Sequence, residues 1–260
     1  MTDTPHAHLA EQDGILTLTF DRQDKLNAVS GQMIGLLWDA VRAMEARDDL
    51  AVLVIRAGGP YFTAGIDISG IDVSERTPSQ YRRDCREISS LYDAFEALDK
   101  PIVLAAQGHC FGAGVEMAAS CDFRFASPAA TFQLPEINLA VIPGSGGISR
   151  VARLVGPQWA KWLAMAGQPV DAERALAIGF VHDVYPEDGF HDRVHAFARH
   201  LAGLPRQAVG VAKLAIELCS STDLASARQA EQLANAVLAL GDEHKQRVEG
   251  FNERSRKRRE

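Results

Sequence analysis

Gly108 to Asp122, GHCFGAGVEMAASCD, is the stretch on which the fold of this 260-residue chain turns. It follows an apolar run, Pro101 to Ala106, that reads as a buried strand. Gly112-Ala113-Gly114 then permits a sharp turn and close backbone packing. Val115 to Ala119 has helical character, so the glycines stand at a helix start. Amides there lack intrahelical acceptors and form a positive end. One carboxylate, Glu116, falls inside that apolar start. Exposed amides beside a carboxylate suit enolate chemistry, which needs donors for a developing oxyanion and a group that moves a proton. A plain strand-to-helix turn with Glu116 on a solvated face is the other reading, and the stretch taken alone favours it.

Outward from this centre, strands and helices mix. Residues 1–13 are polar and read as a flexible terminus. Ile15 to Phe20 alternates, which predicts a half-buried strand. Ser30 is a candidate N-cap for a helix whose apolar stripe is Ile34, Leu37, Trp38, Val41 and Met44. Ala51 to Ile55 predicts a strand buried on both faces. Residues 70–84 are polar without a clear period, and Ile88, Leu91, Tyr92, Phe95 and Leu98 then mark an amphipathic helix stopped by Pro101. Phe123 to Ala126 and Thr131 to Gln133 read as short strands, and Pro143 to Gly147 as a glycine-rich loop opening a helix. From Gln158 the pattern is nearly all helical, over about 158–166, 172–178, 188–203, 206–219 and 223–241, with a short strand at Val181 to Val184. The fold class is therefore α/β with a helical carboxyl-terminal part.

Composition narrows the function. The chain is 47% hydrophobic and 23% charged, enough for one large domain with a real core. A net charge of −7 disfavours nucleic acid as a partner. Asn252 to Glu260 runs against that balance, with five basic and two acidic residues. The four cysteines lack C-x-x-C spacing, so no zinc site is indicated and reduced thiols in a cytoplasmic protein are expected. No apolar leader and no run of about 18 apolar residues is seen, so no membrane association is expected.

Three glycine-rich turns follow strand-like runs, at Gly65, Gly112 to Gly114 and Gly144 to Gly147. None is a P-loop or a G-x-G-x-x-G turn. Pro143 stands where a G-x-S-x-G elbow around Ser145 needs glycine, which disfavours a serine hydrolase. His191 and His195 are spaced i, i+4 without a third ligand and read as surface residues. His109 reads as packing near the centre, and Asp67 as a helix cap.

Four motifs in order give the chain a likeness to a known family: Leu26-Asn27-Ala28, FTAGID over Phe62 to Asp67, the central GHCFGAGVEMAASCD, and LPEINLAVIPGSGG over Leu134 to Gly147. Over roughly Ile15 to Arg254 the chain resembles the enoyl-CoA hydratase/isomerase family, the crotonases. The resemblance implies a spiral of repeated ββα units over about 14–200, with 201–260 as a helical region for oligomerisation and coenzyme A contact. It also implies an oxyanion hole from the backbone N–H groups of Ile66 and Ala113, and two acid–base groups, Glu116 and Glu136. Where the family often has glycine this chain has Ala113, which a backbone donor tolerates at negative φ. Gly144 matches backbone lining the catalytic water site, and the lack of an acid there argues against a dienoyl-CoA isomerase. Lys25, Leu26, Ala28, Ala64 and Ile68 match positions that contact coenzyme A; Arg22 and Lys25 are candidates for its phosphates. Phe251 and Arg254 match positions that reach a neighbouring subunit's coenzyme A, although lysine is commoner than Arg254 there.

The implied reaction is hydration of a 2-enoyl-CoA thioester to a 3-hydroxyacyl-CoA. No cofactor or metal is expected, coenzyme A being part of the substrate, and a homotrimer or dimer of trimers is implied. Competing readings are double-bond isomerisation or carbon–carbon cleavage through the same enolate, and a non-catalytic acyl-CoA-binding protein. The segment from about Ile71 to Leu98 is the expected acyl pocket.

Overall fold

The computed structural model of the chain describes residues 5–69 and 77–257. By its internal contacts the chain divides into two units, Met1–Ala202 and Gly203–Glu260.

In the first unit, β1 (Ala7–Gln12) and β2 (Ile15–Phe20) form a hairpin in full register, from Ala7 opposite Phe20 to Gln12 opposite Ile15. Asp13 and Gly14 make its two-residue turn with φ of 54° and 75°, the left-handed pair that matches strand twist. The expected flexible terminus therefore gives way to an ordered edge strand over residues 7–12. The half-burial expected of β2 is also corrected. Ile15 and Thr19 are buried as well as Leu16, Leu18 and Phe20, because β2 contacts two helices, those over Gly31–Ala46 and Phe190–Ala202.

The order continues with α1 (Gly31–Ala46), β3 (Val52–Ala57), β4 (Tyr61–Thr63), α2 (Pro78–Ala97), β5 (Ile102–Ala106), β6 (His109–Phe111), α3 (Ala113–Ser120), β7 (Phe123–Ala126) and β8 (Thr131–Gln133). A 3₁₀ turn over Pro135–Leu139 leads to α4 (Gly147–Ala160), β9 (Val170–Asp171), α5 (Ala172–Ala177), β10 (Asp183–Val184) and α6 (Phe190–Ala202). A repeat is visible in this order. In β3-β4-α2, β5-β6-α3 and β7-β8-α4, the first strand joins one sheet and the second joins another. Successive repeats step in parallel, so one sheet runs β1-β2-β3-β5-β7-β10 and the other β4-β6-β8-β9.

Ser30 caps α1, accepting from the Met33 amide at 3.3 Å. Helix α2 begins about ten residues before its apolar stripe. Thr77 and Gln80 form a reciprocal capping box and Pro78 occupies the first turn. Those signals start a helix that no hydrophobic period marks, since Pro78 to Ser90 contains no buried residue. Expectations for residues 70–76, and hence for Ile71 to Arg76 of the acyl-pocket segment, lie outside the described residues, as do residues 1–4 and 258–260. Helix α4 breaks at Gly156, φ 75°, ahead of Pro157. A π-helical turn over Lys161–Met165 follows.

The second unit is helical: α7 (Arg206–Cys219), α8 (Leu224–Leu240) and α9 (Asp242–Lys257). Asp223 caps α8, its carboxylate accepting from the amides of Ala225 and Ser226. The basic run after Phe251 continues α9 as far as Lys257.

One buried cation ties the first unit's elements together. Arg124 of β7, 4% exposed, donates to the carbonyls of Phe180 (2.6 Å), Ala118 (3.3 Å) and Cys121. Two of these acceptors lie at the carboxyl end of α3, where a cation also meets the negative end of the helix. Arg124→Leu should lower unfolding stability by about 3 kcal/mol by leaving buried carbonyls unpaired. Urea midpoints of the two proteins measure this; a shift equivalent to less than about 0.5 kcal/mol means other donors replace the guanidinium.

Candidate active site

The site is built where two backbones meet without side chains between them. Gly65 follows β4 and Gly112 precedes α3, with φ of 100° and 51°. A Cβ on Gly65 would lie 3.2 Å from the Phe111 carbonyl and 3.7 Å from the Gly112 Cα. Glycine is required at both for conformation and for space.

Residues 26–29 hold the first of these segments in place. The Ala64 amide donates to the Leu26 carbonyl at 3.0 Å, the Val29 amide to Gly65 at 2.8 Å, and the Asp67 amide to Val29 at 2.9 Å. Gly65 C=O and Asp67 N–H therefore face Val29. Alternation along an extended segment turns the Ile66 N–H to the opposite side. Asn27, 1% exposed, anchors the loop from within: its side chain donates to Gly58 (2.9 Å) and Tyr61 (2.7 Å) carbonyls and accepts from the Arg22 amide (2.8 Å). Ala113 is the first residue of α3, where an amide has no intrahelical acceptor. Among the described residues, neither the Ile66 nor the Ala113 N–H donates to a protein acceptor. The Tyr92 hydroxyl of α2 donates to the Ala113 carbonyl at 3.1 Å and fixes that peptide from behind.

Two carboxylates converge on the same place. Glu116, one turn into α3, is 5% exposed, against the solvated-face reading. Its Oε1 accepts from the amides of Ser145 (2.8 Å) and Gly147 (3.1 Å) in the loop before α4. Arg150 braces that loop by donating to the Ser145 carbonyl at 3.2 Å while pairing with Asp93 and Glu96 of α2. Glu136 sits in the 3₁₀ turn after β8, and its Oε1 is 3.0 Å from where a Gly112 Cβ would stand. Its Oε2 is buried with no hydrogen-bond partner among the described residues.

Burial raises both acids. Glu116 stands above the ordinary carboxylate value by desolvation, opposed by the Ser145 and Gly147 amides. Glu136 is pushed up to about 7, mainly by desolvation; its own backbone N–H opposes this, and the charge of Glu116 adds to it. Such a pair titrates together. The pattern is one carboxylate held by fixed N–H donors beside one that lacks a hydrogen-bond partner on Oε2 among the described residues and exchanges its proton near neutral pH.

The remaining sequence candidates are spread over several elements. Gly144 lines a cleft of about 580 Å³ together with residues of α2. Lys25 and Leu26 are exposed, Ala28 and Ala64 half-buried, and Ile68 is exposed, all on the loops around Gly65. Arg22 pairs with Asp67 at 2.6 Å and also donates to the Ala28 carbonyl, so its guanidinium is spent within that loop. Asp67 accepts from Arg22 and from Ser69, which holds it well below the ordinary carboxylate range; this replaces the expected helix cap. Phe251 and Arg254 are exposed on α9 of the second unit. His109 packs between Tyr61 and Phe111, with its ring nitrogen 2.5 Å from the Thr131 hydroxyl. His191 and His195 are half-buried rather than surface residues, and no metal-binding cluster exists among the described residues. The Ser145 and Gly147 amides, Arg150 and Tyr92 were not legible as site residues in the sequence; the glycine-rich loop was the one signal for the first two.

The profile of the enoyl-CoA hydratase/isomerase family matches residues 10–259. The chain is 30% identical over 237 residues to 2,3-dehydroadipyl-CoA hydratase of Escherichia coli, covering 91% of each protein. It is 30% identical to short-chain-enoyl-CoA hydratase of Clostridium acetobutylicum, over 95% of this chain and 94% of the relative. The crystal structure of an enoyl-CoA hydratase from Bacillus anthracis superposes with a TM-score of 0.89 at 26% identity, covering 96% of each chain. The stepped ββα repeats are thus the crotonase fold. Matched along nearly its whole length in sequence and in fold, the chain belongs to the enoyl-CoA hydratase/isomerase family.

Proposed function

We propose that the chain hydrates a 2-enoyl-CoA thioester to the 3-hydroxyacyl-CoA. The observation that carries this reading is the convergence of two carboxylates, the buried Glu116 and the half-buried Glu136, beside the Gly65–Gly112 contact. An isomerase needs one acid–base group there; addition of water uses two.

In this reading the thioester carbonyl oxygen lies against the Ile66 and Ala113 N–H groups. Both are backbone donors fixed before reaction, and one such donor is worth about 3 kcal/mol in the transition state. Glu116, as the carboxylate held by two amides, takes a proton from water as the water oxygen bonds to C3. The C2–C3 π pair moves toward the carbonyl, giving an enolate whose charge the two amides hold. Protonated Glu136 then delivers its proton to C2. The proton gained by Glu116 returns to Glu136 before the next turnover. Gly144 backbone borders the water. Lys25, Leu26, Ala28, Ala64 and Ile68 contact coenzyme A, with Phe251 and Arg254 supplied by another subunit.

Assembly as a homotrimer or a dimer of trimers is part of the proposal. Leu233, Val237 and Leu240 of α8 are 71%, 74% and 76% exposed, a stripe at helical spacing that a partner would cover. Light scattering should give a trimer or hexamer mass; a monomer at micromolar concentration rejects the assembly.

Glu116→Gln and Glu136→Gln should each lower kcat for crotonyl-CoA by about 10²- to 10⁴-fold. The double variant should lose less than the product, because the two act on one water and one carbon. Near-full hydration by Glu116→Gln with a dead Glu136→Gln would instead indicate the isomerase arrangement, and the absence of any turnover in the parent protein a binding role.

The pH dependence has a definite sign. Glu136 acts protonated, so kcat/KM should fall as pH rises through about 7. Ionising that half-buried acid also costs stability, so the folded state should lose free energy as pH rises from about 4.5 to about 7 and change little from this group above that. A kcat/KM profile flat from pH 6 to about 9 excludes Glu136 as the proton donor.

A further inference from the structure

The cleft that Gly144 lines has two unlike walls. Tyr81, Arg82, Cys85, Arg86 and Ser89 come from the first turns of α2, and Val141 and Ile142 stand opposite. At 100° per residue, the five α2 positions span one face of about 140°. Tyr81 and Cys85 lie along one border of that face, and Arg82 and Arg86 together along the other. The inner end adjoins the acids. Cys85 Sγ is 3.0 Å from where a Gly144 Cβ would be, and the next residue, Ser145, binds Glu116.

Two features need an occupant. Val141 and Ile142 are 38% and 60% exposed, an apolar wall that no described residue covers. Arg82 and Arg86 pair with no carboxylate among the described residues. The helix's own acids in this stretch, Asp84 and Glu87, project from its other side by the same 100° count. A plain alkyl chain would satisfy the first wall and gain nothing from the second.

We infer that the acyl group this site selects ends in a carboxylate, with its methylenes along Val141 and Ile142 and its terminal anion bound by Arg82 and Arg86. This rests on the proposed action at an enoyl-CoA and names the substrate class. A guanidinium fork matches the geometry of a carboxylate, and two arginines stand one helical turn apart on this face. They also offset the repulsion that the acids at the inner end exert on a second anion.

The test compares 2-enoyl-CoA esters matched in chain length, one series ending in methyl and one in carboxylate. The parent protein should favour the carboxylate series in kcat/KM by about tenfold or more at the best length. In R82Q/R86Q that ratio should fall by about tenfold. No preference at any length overturns the inference. So does an equal loss for both series in R82Q/R86Q, which would place the arginines on coenzyme A phosphates. Saturated acyl-CoA esters ending in methyl or carboxylate give a second readout by calorimetry. The carboxylate ester should bind about tenfold tighter, and only with both arginines present. If neither series is hydrated while this binding difference holds, the proposed reaction fails and the inferred acyl class stands; if the binding difference is missing, the acyl class fails by itself.

Discussion

Burying a carboxylate is costly unless its charge is met, and the centre of this protein is arranged around that constraint. Glu116 lies inside an apolar helix, where desolvation works against its charged form. Two amides of the Ser145–Gly147 loop supply the donors water would have given. The loop must then be held within hydrogen-bond reach of α3, and Arg150, paired to α2, holds it. Helix α2 in turn fixes the Ala113 peptide through Tyr92. Three helices from successive repeats are thus locked to one another by the need to accommodate a single charge.

Repetition explains how distant residues meet. Each ββα unit advances one strand in both sheets, so the segments after β4, β6 and β8 arrive side by side. They bring Ile66, Ala113 and Glu136 respectively, separated by dozens of residues in the chain. The close approach of Gly65 to Gly112 sets the spacing between the first two, and Glu136 lies against the same glycine.

Much of this was legible in the residues. Ser30, the Pro101 stop, the buried β5 run and the glycines before α3 all carry local signals strong enough to read. Other elements were legible but went unread. Asp13-Gly14 between alternating runs is a hairpin signal, and Thr77-Pro78 followed by Gln80 is a helix start without an apolar period. What could not be read was long-range. Arg124 looks like an ordinary strand cation until Phe180 and the end of α3 fold onto it. Arg22 looks like a free phosphate ligand until Asp67 takes it. Charge partners across tens of residues leave no mark in a single sequence. The role of Glu116 was open for the same reason, since its amide donors lie 29 and 31 residues away.

Helix α2 is anchored unevenly. Leu91, Tyr92 and Phe95 are packed in the core, whereas Pro78 to Ser90 has no buried side chain. Over residues 78–90 the hold is lighter: Ile88 packs partly against the core, and Ser145 Oγ donates to the Cys85 carbonyl at 3.4 Å. The cleft wall made by Tyr81 to Ser89 therefore belongs to the lightly packed half of the helix, whereas the Ala113 peptide is held by the packed half through Tyr92. Substitutions over residues 78–90 can accordingly reshape that wall without loosening the core.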